Sequence, residues 1–195
     1  MNLSEQIKMF TASSHQKLEK SIVRLIRLLE TKQDYIHLLG LFYSYFGGVE
    51  CLVESQDLNI NLPDFMERRK ASYISEDILA LQGQVPELVH GNQLPKVEDA
   101  FQALGALYVM EGSTLGGVHI GKMIQKKLPD CENAFRFFSG YGEQNMNMWE
   151  KFKEVLNGIT GSENNVNSVL SGAEDTFQKF GEWINFNEHV VYRPE

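Results

Sequence analysis

Apolar residues recur every three or four positions along most of the chain, the period of helices that bury one face. Leu3, Ile7, Phe10, Leu18, Ile22, Leu25 and Leu29 mark out a first helix. A second opens at Thr31 as N-cap, with Asp34 three residues on as a variant of the capping box. Its core-facing residues run from Tyr35 through Phe42 and Phe46 to Leu52. The stretch "SEDILAL" (75–81) begins a short helix, and Lys96 to about Leu128 forms a long one. Met148 to Ile159 and Val166 to Phe186 complete the set. The five prolines, at 63, 86, 95, 129 and 194, fall where a helical pattern has already ended. No stretch alternates in the manner of a strand with hairpin turn residues. The pattern predicts an all-α chain forming one domain over residues 1–195, with no internal repeat.

One predicted helix breaks the usual rules. In "LYVMEGSTLGGVHIGKMIQKKL", residues 107–128, the apolar spacing is helical, yet Gly112, Gly116, Gly117 and Gly121 crowd together. Each glycine costs a helix interior roughly 1 kcal/mol relative to alanine, so the segment gives up about 4 kcal/mol of local propensity. Close approach of another backbone, close approach of a ligand, or a bend are the usual reasons.

Composition narrows the classes. The 195 residues and 43% hydrophobic content suit a folded domain with a sizeable core. A net charge of −8 argues against non-specific nucleic-acid binding. Two local basic clusters, Arg68-Arg69-Lys70 and Lys122 with Lys126-Lys127, are expected to be solvated helix faces. Cys51 and Cys131 have neither C-x-x-C nor metal-ligand spacing and are expected to be free thiols in a reducing compartment. The start, "MNLSEQIKMF", has no signal-peptide pattern, and the best candidate for a membrane span is broken by Glu111 and His119. A cytoplasmic protein with no membrane insertion is the expectation.

Candidate chemistry begins on the first helix. At 100° per residue His15 sits beside Ile22 and Ile26 on the edge of the apolar stripe, and Glu19 lies one turn on. A carboxylate on one imidazole nitrogen fixes the tautomer and leaves the other nitrogen free for a metal. Lys8 lies about 10 Å earlier along nearly the same face. That separation suits a macrocycle with a central iron and peripheral carboxylates. The plainer reading of His15 is a partly buried histidine with a structural partner. Glu87 and His90 make a single Glu-x-x-His match, too little for a di-iron bundle. No P-loop, G-x-S-x-G or H-E-x-x-H occurs, and His37, His119 and His189 lack spaced partners. If His15 held the iron of a flat macrocycle from one side, a helix with glycine on its contact face could cover the other.

These segments resemble the biliverdin-producing heme oxygenases, particularly the bacterial branch associated with bacterial phytochromes. "SSHQKLE" looks like their proximal segment and "YVMEGSTLGG" is similar to their distal-helix motif. "FYSYFGGVE", "RRKASYISEDILAL", "FFSGYGEQNMNMWEKFKEVLNGI" and "AEDTFQKFGEWI" resemble further family segments in the expected order. The resemblance implies a helical bundle holding heme between proximal and distal helices. It also implies that heme is both cofactor and substrate, opened at a meso carbon by O2 and reducing equivalents to biliverdin, CO and Fe(II). An electron donor such as a ferredoxin or a reductase would be a partner. By the same resemblance His15 is the axial iron ligand, Glu19 its hydrogen-bonding partner, and Gly112, Gly116 and Gly117 the distal glycines. Lys8 and Tyr108 match propionate-binding positions, and Lys153 a basic position on a later helix, with Lys151 two residues away as the alternative.

One departure stands out. Animal members read G-D-x-S-G-G, with an aspartate organising distal water, where this chain reads "GSTLGG" and places Ser113 at that site. A hydroxyl can hold a water but cannot supply a charge, so the proton network must rest on backbone groups, Ser113 or another side chain. A heme-binding or trafficking module that keeps the fold without turnover is the competing reading. A related helical enzyme acting on another small molecule is a more distant one.

Overall fold

In the computed structural model, residues 1–56, 58, 62–159 and 163–191 are described, the last three of these by their backbone alone. Eight α-helices follow in order among them: α1 Leu3–Phe10, α2 Ala12–Leu28, α3 Lys32–Glu54, α4 Ser72–Ala80, α5 Ala100–Lys127, α6 Arg136–Ser139, α7 Asn145–Asn157 and α8 Glu163–Val191. No strand occurs among the described residues. The all-α expectation holds, with differences at the ends of elements.

The predicted first helix is two. Thr11 is buried, and its hydroxyl donates back to the Ile7 carbonyl at 2.8 Å, a local bond that competes with regular helix. Thr11 takes the inward place one turn after Ile7, so Phe10, expected in the core, is 56% exposed. The capping box at the start of α3 is present: Asp34 N–H donates to Thr31 Oγ1 at 3.1 Å and Thr31 N–H to Asp34 Oδ2 at 2.7 Å. A second box, not anticipated, opens α1 through Asn2 and Glu5. The start of α5 falls later than the periodicity suggests because Asp99, in extended conformation, caps the Gln102 amide at 2.7 Å.

Helix α3 occupies the centre. Tyr35, Leu38, Leu39, Phe42, Tyr45, Phe46 and Val49 are all buried along it. Two of its phenols reach distant carbonyls, Tyr35 to Ala134 at 2.5 Å and Tyr45 to Thr176 at 2.8 Å. By length and composition α3 is apolar enough to cross a membrane, with a mean hydropathy of 1.4, but 67% of that window is buried inside the bundle. The stretch broken by Glu111 and His119 is therefore not the most apolar in the chain; α3 is, and its apolar surface is core.

The longest contact joins α5 to α8. It depends on two glycines outside the conspicuous cluster. A Cβ on Gly105 would sit 2.2 Å from the Val169 carbonyl oxygen, and one on Gly172 would sit 2.3 Å from that of Gln102. The helices cross backbone on backbone there, and only glycine leaves room.

Candidate functional site

A cavity of about 370 Å³ lies between α2 and α5. That volume is in the ordinary range for a small-molecule site. Lys8 and Thr11 stand at one end, His15, Leu18, Glu19 and Ile22 come from α2, and Tyr108 to Ile120 supply the α5 side. Its floor is aromatic, with Phe42 and Phe46 of α3, Phe137 and Phe138 of α6 and Phe180 of α8. These rings pack edge-on in part: Phe42 meets Phe138 at 5.7 Å and Phe180 at 5.2 Å. Such a wall offers flat, apolar contact to a flat ligand.

His15 is open to this space, with its side chain 52% exposed. Its Nε2 lies 3.3 Å from Glu19 Oε1, and its ring centroid is 5.0 Å from that of Phe177. One ring nitrogen is thus engaged by a carboxylate and Nδ1 is left over. A half-turn of the ring exchanges each nitrogen with a ring carbon, so the direction each nitrogen faces depends on that flip. Among the described residues no group of three or more His, Cys, Asp or Glu is placed to hold a metal ion by itself.

Tyr108 is half-buried and rests against Trp149 with ring centroids 5.2 Å apart. Burial pushes its phenol pKa up, so it stays a hydrogen-bond donor at neutral pH. Lys8, in the last turn of α1, also lines the cavity. Lys153 is elsewhere: it pairs with Glu150 on α7 at 2.9 Å and is not among the lining residues. Lys151, the alternative, is exposed and does not line the cavity either.

The clustered glycines divide by role. A Cβ on Gly116 would meet nothing within 4 Å, because that position opens on the cavity. A Cβ on Gly112 would make ordinary contact with Trp149, at 3.6 Å. One on Gly117 would come 2.9 Å from the Phe138 carbonyl oxygen, and one on Gly121 3.3 Å from Phe138 Cβ. Gly117 and Gly121 let α6 press against α5; Gly116 keeps the cavity clear.

The basic cluster Arg68-Arg69-Lys70 is not a solvated face. Arg68 and Arg69 are 3% and 6% exposed. Arg68 donates to Glu111 Oε2 at 2.9 Å, to the Met148 carbonyl at 2.8 Å and to both oxygens of Asp64. Burial works against its charge, but Glu111 and Asp64 more than offset that, and its pKa rises. Arg69 donates to Ser113 Oγ at 2.6 Å, the Met110 carbonyl at 2.7 Å and the Phe137 carbonyl at 3.2 Å. The Tyr141 hydroxyl accepts from the Arg69 amide at 2.7 Å and donates to Glu111. Burial lowers the Arg69 pKa to about 10, which still leaves it charged at neutral pH. The signal for this network was Glu111, a lone carboxylate in the apolar run "LYVMEGS", since a buried carboxylate needs cationic partners.

Other expectations resolve simply. Cys51 is exposed, Cys131 is buried, and both are free thiols. Lys127 donates to the Ile26 and Arg27 carbonyls at the end of α2, so it is a cap rather than a loose charge. His37 meets Gln33 at 2.9 Å. The side chain of His189 lies outside the described residues.

A family profile described as heme oxygenase matches residues 1–186. The chain is 26% identical over 183 residues to heme oxygenase PigA of Pseudomonas aeruginosa, covering 93% of this chain and 90% of that protein. It is 29% identical over 113 residues to a heme oxygenase of Xanthomonas campestris pv. campestris, covering 58% of this chain and 66% of that one. Among solved structures it is similar to the NO- and CO-bound heme oxygenase of Neisseria meningitidis, with a TM-score of 0.82 at 21% identity over 97% of this chain and 93% of that one. At that identity the structural likeness speaks for the fold.

Proposed function

The chain belongs to the heme oxygenase family, and from that premise we propose that its cavity takes heme as substrate and prosthetic group and supports ring opening to biliverdin, CO and Fe(II). O2 and an electron donor such as a ferredoxin or reductase are the co-reactants, and the cytoplasm is the compartment that the two free thiols favour. We read residues 1–195 as one domain serving this activity. Bound heme supplies the iron chemistry; the chain supplies the setting.

The observation that carries the reading is a single apolar cavity with His15 and Glu19 along α2 and the open Gly116 on α5. In this reading His15 would hold the heme iron, and its neutral imidazole would suit ring oxidation better than a thiolate. Glu19 holds the ring by its second nitrogen, fixing tautomer and orientation. Lys8 and Tyr108 orient the propionates by a charge-assisted and a hydroxyl hydrogen bond. Lys153 would join them only by leaving Glu150. Gly112 and Gly116 keep the α5 backbone close to the ligand, Gly117 holds α6 behind it, and the aromatic floor excludes bulk water.

Incubation with ferric heme and ascorbate or reduced ferredoxin tests this. Loss of the Soret band with release of a bilin and CO is the expected result. A stable Soret band under reduction and O2 would mark a carrier with the same fold. Failure to take up heme would point instead to a different small molecule in this cavity.

A further inference from the structure

Ser113 carries more information than its hydroxyl suggests. Its Oγ donates to the Met110 carbonyl at 2.6 Å and accepts from Arg69 Nη2 at 2.6 Å. A hydroxyl has one proton and two lone pairs, so one lone pair remains, and Ser113 lines the cavity.

The Met110 carbonyl is in the opposite position. Arg69 Nη2 reaches it at 2.7 Å and the Ser113 hydroxyl at 2.6 Å. It also lies in the interior of α5, where helical pairing brings it the amide of Thr114. Three donors therefore share two lone pairs. The Thr114 amide is fixed by the backbone. The Arg69 guanidinium is fixed by the Phe137 carbonyl at 3.2 Å and by stacking 4.1 Å over the Phe137 ring. Only the Ser113 proton is free to turn. Turning it away leaves Met110 satisfied, which avoids the roughly 1–3 kcal/mol cost of a buried acceptor without a partner.

We propose that Ser113 is a rotatable hydrogen-bond donor to an oxygen or other anion-like ligand atom bound in the cavity, and that Arg69 is the positioning residue that permits the rotation. Arg69 does this by holding the Met110 carbonyl in the hydroxyl's place. Its own charge is offset by the nearby carboxylates Glu111 and Glu50, of which Glu111 is already paired with Arg68. A serine with a charged residue behind it can thus donate directly to a ligand atom, which a carboxylate at the same place could not do. The inference rests on the reading that heme occupies this cavity.

Fluoride is a suitable probe, because it binds ferric heme as an anion and is stabilised by hydrogen-bond donors. The heme-loaded protein is titrated with fluoride, with heme affinity and apo melting temperature measured beside it. Ser113→Ala is expected to weaken fluoride about tenfold, the scale of one hydrogen bond to a charged acceptor, with heme affinity unchanged. Ser113→Thr, which keeps the hydroxyl, should retain tight fluoride. Arg69→Lys keeps the charge but cannot span Ser113, Met110 and Phe137 together, so it should weaken fluoride in the native background. In the Ser113→Ala background it should add nothing, because its effect passes through the hydroxyl. Unchanged fluoride affinity in a heme-loaded Ser113→Ala protein overturns the donor role, and this pair of Ser113 variants decides it whatever Arg69→Lys does to folding. An equal Arg69→Lys effect with and without the hydroxyl overturns the positioning role. Failure of the wild-type chain to bind heme would overturn the functional reading itself, a separate result.

Discussion

At the scale of single residues, the site divides into groups that would touch the substrate and groups that hold those groups. His15 is the test of the first kind. It is half-exposed on a cavity edge with one nitrogen turned to Glu19. His15→Ala should lower heme affinity and abolish turnover, with both recovering when imidazole is supplied. Turnover at the native rate without imidazole would remove His15 from the ligand role. The propionate assignment is tested by identifying the bilin isomers. Lys8→Ala with Tyr108→Phe should change the isomer ratio while the apo protein stays folded, since phenylalanine keeps the ring packed against Trp149. An identical isomer ratio and heme affinity would show that neither residue orients the ring. Gly116 is decided by the space beside it. A methyl there meets no atom of the protein, so Gly116→Ala should raise apo stability by up to about 1 kcal/mol through helix propensity while bilin yield falls. Normal bilin yield from a folded Gly116→Val protein would contradict the idea that this position is kept clear for the ligand.

At the scale of elements, the same substitution on the same helix should have the opposite sign. Gly105→Ala puts a Cβ 2.2 Å from a backbone oxygen of α8, and a backbone cannot step aside as a side chain can. Overpacking of this kind costs about 1–3 kcal/mol, more than the helix propensity gained. The melting temperature of the apo protein should fall by several degrees, at about 2–4 °C per kcal/mol for a chain of this size. A rise would mean that α5 and α8 can separate freely. This contrast also marks how far the sequence could be read. Helix positions and the Thr31–Asp34 box were legible because period and capping are local. His15, Glu19 and the glycine cluster were legible because each departs from what its own helix would choose. Gly105 and Gly172 were not, since a lone glycine in a helix says nothing of what crosses it. Arg68 and Arg69 misled for the converse reason. A run of three cations looks solvated until Glu111, some forty residues on, is brought to meet it. The split at Thr11 was hidden because threonine continues a helical pattern while its hydroxyl bends the turn.

At the scale of the whole molecule, the cavity and the core are continuous. Phe42, Phe46, Phe137, Phe138 and Phe180 belong to the buried cluster and also form the cavity floor. A ligand seated there therefore ties together α2, α3, α5, α6 and α8, elements far apart in sequence. A ligand that binds the folded chain and not the unfolded one stabilises it by mass action, by about 2.7 kcal/mol at one hundred times its dissociation constant. At about 2–4 °C per kcal/mol, ferric heme at that excess should raise the melting temperature by roughly 5–11 °C. The shift should shrink in His15→Ala and return in part with imidazole, because only the ligand bond has been removed and the aromatic floor is intact. It should survive in Lys8→Ala, whose side chain stands at the end of α1 and adds orientation more than area. Differential scanning calorimetry on the four samples, each with and without heme, measures all of this. An equal shift in native and His15→Ala proteins would mean that His15 adds no bond to the bound heme, and no shift in either would break the link drawn between core and site.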